Sequence, residues 1–153
     1  MTAARGKTKG ASLSVILVTA FVLFGTWYAF ARPVPETVNA ITADGQVVLQ
    51  GRGPSNAQAF VREHPEKGRP YAALRSGVYE LALPVSGSFT AVFHFTPLDG
   101  EAPGQYTLFT SPNGQDGWVS TSAVLDPLAL TLTRSVTFRD TGYWAVGVRV
   151  AGE

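Results

Sequence analysis

An uncharged, apolar run near the amino terminus most constrains how this chain can fold. Residues 10–31 contain no charged side chain, and residues 15–24 read VILVTAFVLF. As an α-helix, residues 11–31 would be about 31 Å long at ~1.5 Å per residue. This length matches a hydrocarbon core of about 30 Å. Because lipid offers the backbone no hydrogen-bond partners, the sequence predicts a transmembrane helix over residues 11–31.

The flanks of this run predict its orientation. Three basic residues precede it, and by the positive-inside rule we expect residues 1–10 to form a cytoplasmic tail. Trp27 and Tyr28 stand at the far end, where amphipathic rings favour the headgroup level, so both are expected to be membrane-interface anchors. The rest of the chain is then expected outside the cytoplasm, carried by a single-pass protein of the inner or plasma membrane.

A cleaved signal peptide is the alternative interpretation of the same residues. A basic start, an apolar stretch and Ala29-Phe30-Ala31 together fit the A-x-A cleavage pattern. The apolar run is longer than the usual ~7–15 residues of a signal peptide, and the bulky rings beside the site suit a retained anchor better. We favour the anchor, and both interpretations export the remainder of the chain.

The composition of the exported part excludes several classes of function. Residues 33–153 hold eight basic and all eleven acidic residues. They show no basic stripe for a phosphate backbone, so nucleic acid is not an expected partner. The chain contains no cysteine, which excludes disulfide scaffolds, zinc ribbons and thiol nucleophiles.

The exported part reads mostly as β-strands. Pro33 and Pro35 predict a stiff, extended tether over residues 32–37. The following residues, 38–153, show a two-residue period broken by regular turn signals, which is typical of an antiparallel β-sandwich. We therefore expect an all-β domain of about seven strands after the one transmembrane helix. The predicted strands are residues 46–50, 78–83, 88–96, 105–110, 118–124, 129–138 with a bend, and 143–150.

Alternation within residues 88–96 predicts which side chains face the core. Phe89, Ala91, Phe93 and Phe95 would share the apolar face of that strand. The intervening residues would form its wetter face: Thr90, Val92, His94 and Thr96. By the same argument, the last strand is expected to turn Trp144, Val146, Val148 and Val150 to the core.

Residues 52–77 interrupt this pattern and form a predicted insertion. Ser55 and Gln58 have the spacing of a capping box. Ala57, Phe60 and Val61 would share one face of a helix of two to three turns at most, with the remainder looped. A long ordered insertion often carries function. The residues of this stretch that we expect to contact a partner are Phe60, Arg62, Arg69 and Tyr71.

Residues 140–146, which read DTGYWAV, resemble the start of the penultimate strand in immunoglobulin-like and polycystic-kidney-disease-like domains. The resemblance implies an immunoglobulin-like sandwich in which the Tyr143 hydroxyl bonds back across a corner. The layout of a short tail, one span and a small exported domain is similar to the FixH and YtkA-like assembly proteins of respiratory oxidases. The strand style of GVYEL at residues 77–81 and GSFTAV at residues 87–92 fits that group.

The sequence contains no pattern that is typical of a catalytic or metal-binding site. His64 lies between Glu63 and Glu66, but Pro65 bends the chain, so these groups are not expected to converge on a metal. The turn at residues 112–117 lacks the alternating carboxylates of a calcium loop. There is no Gly-x-Ser-x-Gly elbow. We expect no enzyme activity, no cofactor and no bound metal.

These observations lead to one expected function and one alternative. The first is a membrane-anchored, non-catalytic accessory or assembly subunit whose extracytoplasmic sandwich binds a partner membrane protein complex. The alternative is a secreted or anchored module that binds carbohydrate or cell-wall material. It would stack sugar rings on the exposed aromatic side chains Trp118 and Tyr106.

Overall fold

The computed structural model describes residues 35–54 and 59–149, which fold as an antiparallel β-sandwich. This part of the chain contains ten strands and three single turns of 3-10 helix at Pro65–Lys67, Pro103–Gln105 and Phe138–Asp140. The strands are β1 Pro35–Ile41, β2 Val47–Pro54, β3 Phe60–Glu63, β4 Tyr79–Ala82, β5 Ser88–His94, β6 Tyr106–Ser111, β7 Val119–Thr121, β8 Val124–Asp126, β9 Thr131–Val136 and β10 Gly142–Val148.

The strands form two five-stranded sheets with every pairing antiparallel. Sheet A has the order β1-β2-β5-β9-β8, and sheet B has the order β3-β4-β10-β6-β7. The inner faces of both sheets supply one hydrophobic core, in which Leu49, Phe93, Leu81 and Trp144 are buried. The predicted all-β sandwich is therefore confirmed, although it has ten strands where the sequence indicated about seven.

The predicted alternation of β5 is confirmed. Phe89, Ala91 and Phe93 are buried in the core, as is Phe95 just beyond the strand. Their neighbours Thr90, Val92, His94 and Thr96 are half-buried or exposed. In β10, Trp144 and Val146 face the core as expected, but Ala145 on the opposite face is also fully buried.

The burial of Ala145 is explained by residues 69–77, a segment that we call the strap. It runs beside β10, with which it forms an antiparallel bridge between Leu74 and Gly147. Val148 N donates to Ala73 O at 2.9 Å, and Arg75 N donates to Val146 O at 2.8 Å. Four buried side chains form a small second core beneath it: Ala73, Leu74, Phe109 and Ala145. Tyr71 and Trp118 pack against this cluster. Both faces of β10 are therefore apolar.

The helix expected around residues 57–61 is wrong where the structure describes it, since Phe60–Glu63 is a strand. β3 pairs with β4, with Val61 opposite Leu81, and this pairing buries Val61 in the core. Pairing with a neighbouring strand outweighs a local capping signal because helix propensity is a weak determinant of structure. Residues 55–58, which carry that signal, lie outside the described residues.

Three other boundaries differ from expectation. The single strand expected over residues 118–124 is two strands, because β7 pairs with β6 in sheet B whereas β8 pairs with β9 in sheet A. The bend expected within residues 129–138 is absent from β9, which is continuous from Thr131 to Val136. The tether expected over residues 32–37 is already a strand from Pro35, since an edge strand tolerates proline.

The transmembrane helix over residues 11–31 and the anchors Trp27 and Tyr28 lie outside the described residues. Among the residues that are described, no helix is long and apolar enough to cross a bilayer.

Candidate functional site

The outer face of sheet A is the most distinctive surface of the domain, and we call it the open face. Val47, Leu49 and Phe93 point into the core, as do Leu132 and Val136. Because side chains alternate along a strand, the residues between them point outward. The open face comprises Thr37, Asn39, Ile41, Val48, Gln50, Arg52, Ser88, Thr90, Val92, His94, Thr131, Thr133, Ser135, Val124 and Asp126.

The strand register aligns five of these residues in one row across the whole sheet. Ile41 pairs with Val48, and Val48 pairs with Val92. Val92 then pairs with Thr133, and Thr133 with Val124. We call this line of four aliphatic side chains and one threonine the apolar row. The row contains one residue from each strand of sheet A, and these residues lie side by side across the sheet.

The apolar row is accessible to solvent. Ile41 and Val124 at its two ends are 62% and 73% exposed, and the three residues between them are half-buried. A shallow hollow of about 420 Å³ lies beside Val124 and Thr133. Removing such apolar surface from water stabilises a complex by about 25 cal/mol per Å². The row is therefore a favourable contact surface for a protein partner.

The open face is almost uncharged. The row next to the apolar row consists of Asn39, Gln50, Thr90 and Ser135. Among the residues of the face, the only Arg, Lys, Asp or Glu side chains are Arg52 and Asp126, at opposite ends of the sheet. Depletion of charge at the centre is typical of the core of a protein interface.

The outer face of sheet B provides a contrast, since the chain covers part of it with its own residues. The Tyr71 ring lies edge-on to the Phe109 ring, with centroids 5.6 Å apart. Trp118 packs against the same cluster. The strap is held in place by Arg75, whose Nε donates to Glu101 Oε1 at 2.8 Å. The chain itself therefore covers the part of sheet B around Phe109 and Ala145.

His64 forms a second polar feature, at the start of the turn that leads to the strap. Its Nδ1 lies 2.6 Å from Glu66 Oε1 and its Nε2 lies 2.8 Å from Glu80 Oε2. The Tyr143 ring packs edge-on to the imidazole, and Lys67 Nζ lies 4.6 Å from the centroid of that ring. The two carboxylates bind opposite ring nitrogens, so they clamp the imidazole and leave no shared point for a metal.

This clamp predicts a pH-dependent stability. The hydrogen bond to Glu66 raises the pKa of His64 above 6.5, with burial opposing the change and Glu80 adding to it. Because the folded pKa is raised, the stabilisation is complete below about pH 6.5 and is lost as pH rises through the folded value. The same bond lowers the pKa of Glu66 below 4.5, so its contribution is lost as pH falls through that lower value.

His64→Gln is therefore expected to destabilise the protein more at pH 5.5 than at pH 9. The measurement is the urea midpoint of the full chain in detergent at both pH values. His94→Gln, which replaces an exposed histidine of the open face, is the control variant, and its midpoint is measured at the same two pH values. An equal loss for His64→Gln at pH 5.5 and pH 9 would contradict the charged clamp.

A groove of about 340 Å³ opens at the end of the sandwich where β1 turns into β2. Asp44, Glu63, Arg69 and Tyr79 are among its lining residues. The Tyr79 hydroxyl donates to Asp44 Oδ2 at 2.9 Å, and burial of Tyr79 raises its pKa. Asp44 therefore serves as the acceptor for a buried phenol. Within residues 35–54 and 59–149, no group of three His, Asp or Glu side chains could hold a metal ion.

The structure separates the four residues predicted to contact a partner. Phe60 and Arg62 lie together on β3, with the Arg62 guanidinium 5.3 Å from the centroid of the Phe60 ring. Arg69 lines the groove, and Tyr71 packs against the second core. None of them belongs to the open face.

The aromatic side chains of the alternative function are not both exposed. Tyr106 is 2% exposed and stacks on Phe95 inside the sandwich, with ring centroids 4.5 Å apart. Its assignment as an exposed stacking platform is therefore wrong, because its side chain points into the core between the two sheets. Trp118 is half-buried against the second core.

The apolar row is not among the features predicted from the sequence, although the sequence contains one signal of it. Val92 is the one aliphatic residue among Thr90, His94 and Thr96 on the wetter face of β5. Val47 and Val48 are consecutive, so one of them must point away from the core. Aligning these residues with Ile41 and Val124 requires the strand register, which the sequence alone does not provide.

Comparison of the chain with known proteins identifies no relative. The chain matches no protein-family model, and no curated protein or solved structure is significantly similar to it.

Proposed function

We propose that this protein is a single-pass, membrane-anchored accessory or assembly subunit without catalytic activity. In this proposal, residues 11–31 hold it in the inner or plasma membrane. The exported, immunoglobulin-like sandwich binds into a complex of other membrane proteins. The observation that carries the proposal is the open face, which the described part of the chain leaves uncovered, whereas the strap covers part of the outer face of sheet B.

The chemistry of the open face favours a protein as its partner. The apolar row crosses all of sheet A, and hydroxyl and amide side chains flank it. An apolar centre with a polar, hydrogen-bonding surround is the usual anatomy of a protein interface. The near absence of charge disfavours nucleic acid and anionic lipid, both of which are held mainly by Lys and Arg.

Tethering the domain to the membrane would allow the open face to be occupied by a partner even if its affinity for that partner is modest. A span that holds the domain near the membrane turns association into a search over two dimensions, which raises the effective concentration of any partner in the same membrane. A face of this size then need not bind tightly in free solution in order to be occupied in the membrane.

Val92→Lys tests the proposal. Val92 lies at the centre of the apolar row and is half-buried, so a lysine ammonium can reach water in the free subunit but is trapped in a complex. We expect the amount of chain that migrates with a larger complex to fall more than tenfold. The measurement is blue-native electrophoresis of gently solubilised membranes from the native host.

Val85→Lys is the matched control. Val85 is 82% exposed in the turn between β4 and β5, away from the open face, so this variant should migrate like the unaltered chain. Two results would contradict the proposal: an unaltered chain that migrates only as the free subunit, or a Val92→Lys variant that remains in the complex.

A further inference from the structure

Resting on the membrane anchor of the proposed function, we infer that one end of the sandwich lies against the lipid headgroups of the same bilayer. We call this end the base. It consists of the start of β1 at Pro35 and the two turns at residues 83–87 and 137–141. Its exposed side chains Val85 and Phe138 enter the headgroup layer.

The strand register places these three segments at one end of the sandwich. Thr37 pairs with Arg52, and Arg52 pairs with Ser88, so the start of β1 and the turn before β5 lie at the same end of sheet A. Phe89 pairs with Val136, which brings the turn after β9 to that end as well.

The two turns lie side by side, and hydrogen bonds order them. Both carry the chain from one sheet to the other, from β4 to β5 and from β9 to β10. Leu83 N donates to the Thr141 hydroxyl at 3.2 Å, which ties one turn to the other. In the second turn, Asp140 N donates to Thr137 O at 2.8 Å. These bonds hold the backbone of the base in place.

The base exposes apolar side chains that the core does not use. Val85 is 82% exposed, and Phe138 is 49% exposed. Residues 83–87 read LPVSG and contain no charged side chain. Such a surface gains free energy when its apolar groups leave water for the boundary between headgroups and acyl chains.

Arg139 adds a group that binds phosphate. It is exposed and follows Phe138 in the chain. The carboxylate of the next residue, Asp140, accepts a hydrogen bond from Thr137 N at 2.9 Å and lies 3.5 Å from Arg134 Nη2. The acid of this turn is therefore engaged within the domain, whereas the guanidinium of Arg139 faces solvent. A guanidinium matches the geometry of phosphate, the group that phospholipid headgroups share.

The course of the chain indicates that a bilayer, and not another surface, meets the base. The predicted span ends at Ala31, and β1 begins at Pro35. Since an extended chain covers at most ~3.6 Å per residue, Pro35 lies no more than about 14 Å from the end of that span. The headgroup layer is itself roughly 5–8 Å thick. Of the two ends of the sandwich, the base is therefore the one held at the membrane surface.

This contact would also orient the open face. β1 runs away from the base, from Pro35 to Ile41, so the sheets stand upright and the open face turns sideways, towards proteins of the same membrane. Ile41 lies six residues from Pro35, which places the apolar row about 20 Å above the base at ~3.3 Å per residue. A partner must therefore carry its contact surface at that height.

Quenching of a fluorophore by lipid tests this inference on the full chain in phosphatidylcholine vesicles. The chain contains no cysteine, so Val85→Cys and Phe138→Cys each accept a single fluorophore. A fraction of the lipids carries a nitroxide on the headgroup, which quenches only nearby fluorophores. The vesicles contain no other protein, so quenching reports lipid contact.

Leu128→Cys is the matched control. Leu128 is 95% exposed, and it precedes β9 whereas Phe138 follows that strand. The six residues of β9 therefore separate the two positions by about 20 Å. We expect quenching at positions 85 and 138 to be several-fold stronger than at position 128.

A second variant separates lipid contact from mere tethering. Phe138→Asp, combined with Val85→Cys, should lower the quenching at position 85 at least about twofold, because interfacial binding scales with buried apolar area. Leu128→Asp in the same Val85→Cys chain should leave it unchanged. Both substitutions change exposed side chains, and the urea midpoint of each variant verifies that the sandwich is folded.

Three results would overturn the inference: equal quenching at positions 85, 138 and 128, stronger quenching at position 128, or no effect of Phe138→Asp at position 85. Each leaves the proposed function standing if the chain resists carbonate extraction from the membrane and migrates with a larger complex on native gels. A chain that carbonate releases would instead overturn the membrane anchor itself. The Val85→Lys control for electrophoresis keeps its expected result, since position 85 contacts lipid and not a subunit.

Discussion

Replacing Trp144 with alanine is expected to lower the free energy of unfolding by about 3–5 kcal/mol. The indole is 1% exposed in the centre of the sandwich, with its ring centroid 6.1 Å from that of Phe93. Its Nε1 donates to Asp140 O at 2.9 Å, and the Arg134 guanidinium lies 5.7 Å from the ring centroid. The substitution leaves a cavity and an unpaired carbonyl, and it removes the surface on which the guanidinium packs.

Urea unfolding of the full chain in detergent measures this loss. Since small domains are stable by about 5–15 kcal/mol in total, the variant is expected to unfold at a much lower urea concentration. Trp144→Phe is the matched control, because it keeps an aromatic ring but loses the hydrogen bond to Asp140. Its cost should be nearer 1–2 kcal/mol. A loss below about 1 kcal/mol for Trp144→Ala would show that the core does not depend on this side chain.

Gly147→Ala is expected to have the second-largest effect, at about 3 kcal/mol, the upper end for overpacking. A Cβ at this position would lie 2.5 Å from Ala73 O and 2.9 Å from a ring carbon of Phe109. The first neighbour is backbone and cannot rotate away. The strap must therefore move outward, which breaks the bond from Val148 N to Ala73 O and opens the second core.

Two measurements separate this event from general instability. The urea midpoint should fall, and the emission of Trp118, which packs against the second core, should shift to the red in the folded state. Gly104→Ala is the control, since a Cβ there meets no atom within 4 Å, and it should be neutral within about 0.5 kcal/mol. An unchanged midpoint and emission for Gly147→Ala would mean that the strap tolerates displacement.

The elements that the sequence predicts well are those in which burial alone determines the pattern. In β5, Phe89, Ala91 and Phe93 alternate with polar neighbours, and the structure places them in the core as expected. The Asp44-Gly45 turn and the strand after it are also confirmed, with β2 beginning at Val47. Such segments have one apolar face, so the two-residue period is sufficient.

The elements that the sequence predicts poorly depend on contacts distant in the chain. β3 reads locally as a helix, and it is a strand because β4 lies beside it. Ala145 looks like an outward residue of β10 until the strap covers it. The apolar row needs the register of four strand pairs before Ile41 and Val124 can be aligned. Local patterns do not contain that information.

The switch of the chain from β7 to β8 limits how copies can join side by side. Only Ser122 and Ala123 separate these strands, and each strand forms the margin of its sheet over three residues. On that side of the sandwich the two edge strands are short and are joined by the chain itself, so they offer little backbone to which a neighbour could add a strand. The margin formed by β1 is seven residues long and lies on the opposite flank. Since an endless ribbon needs two receptive sides on every molecule, copies of this sandwich should form finite assemblies in preference to fibres.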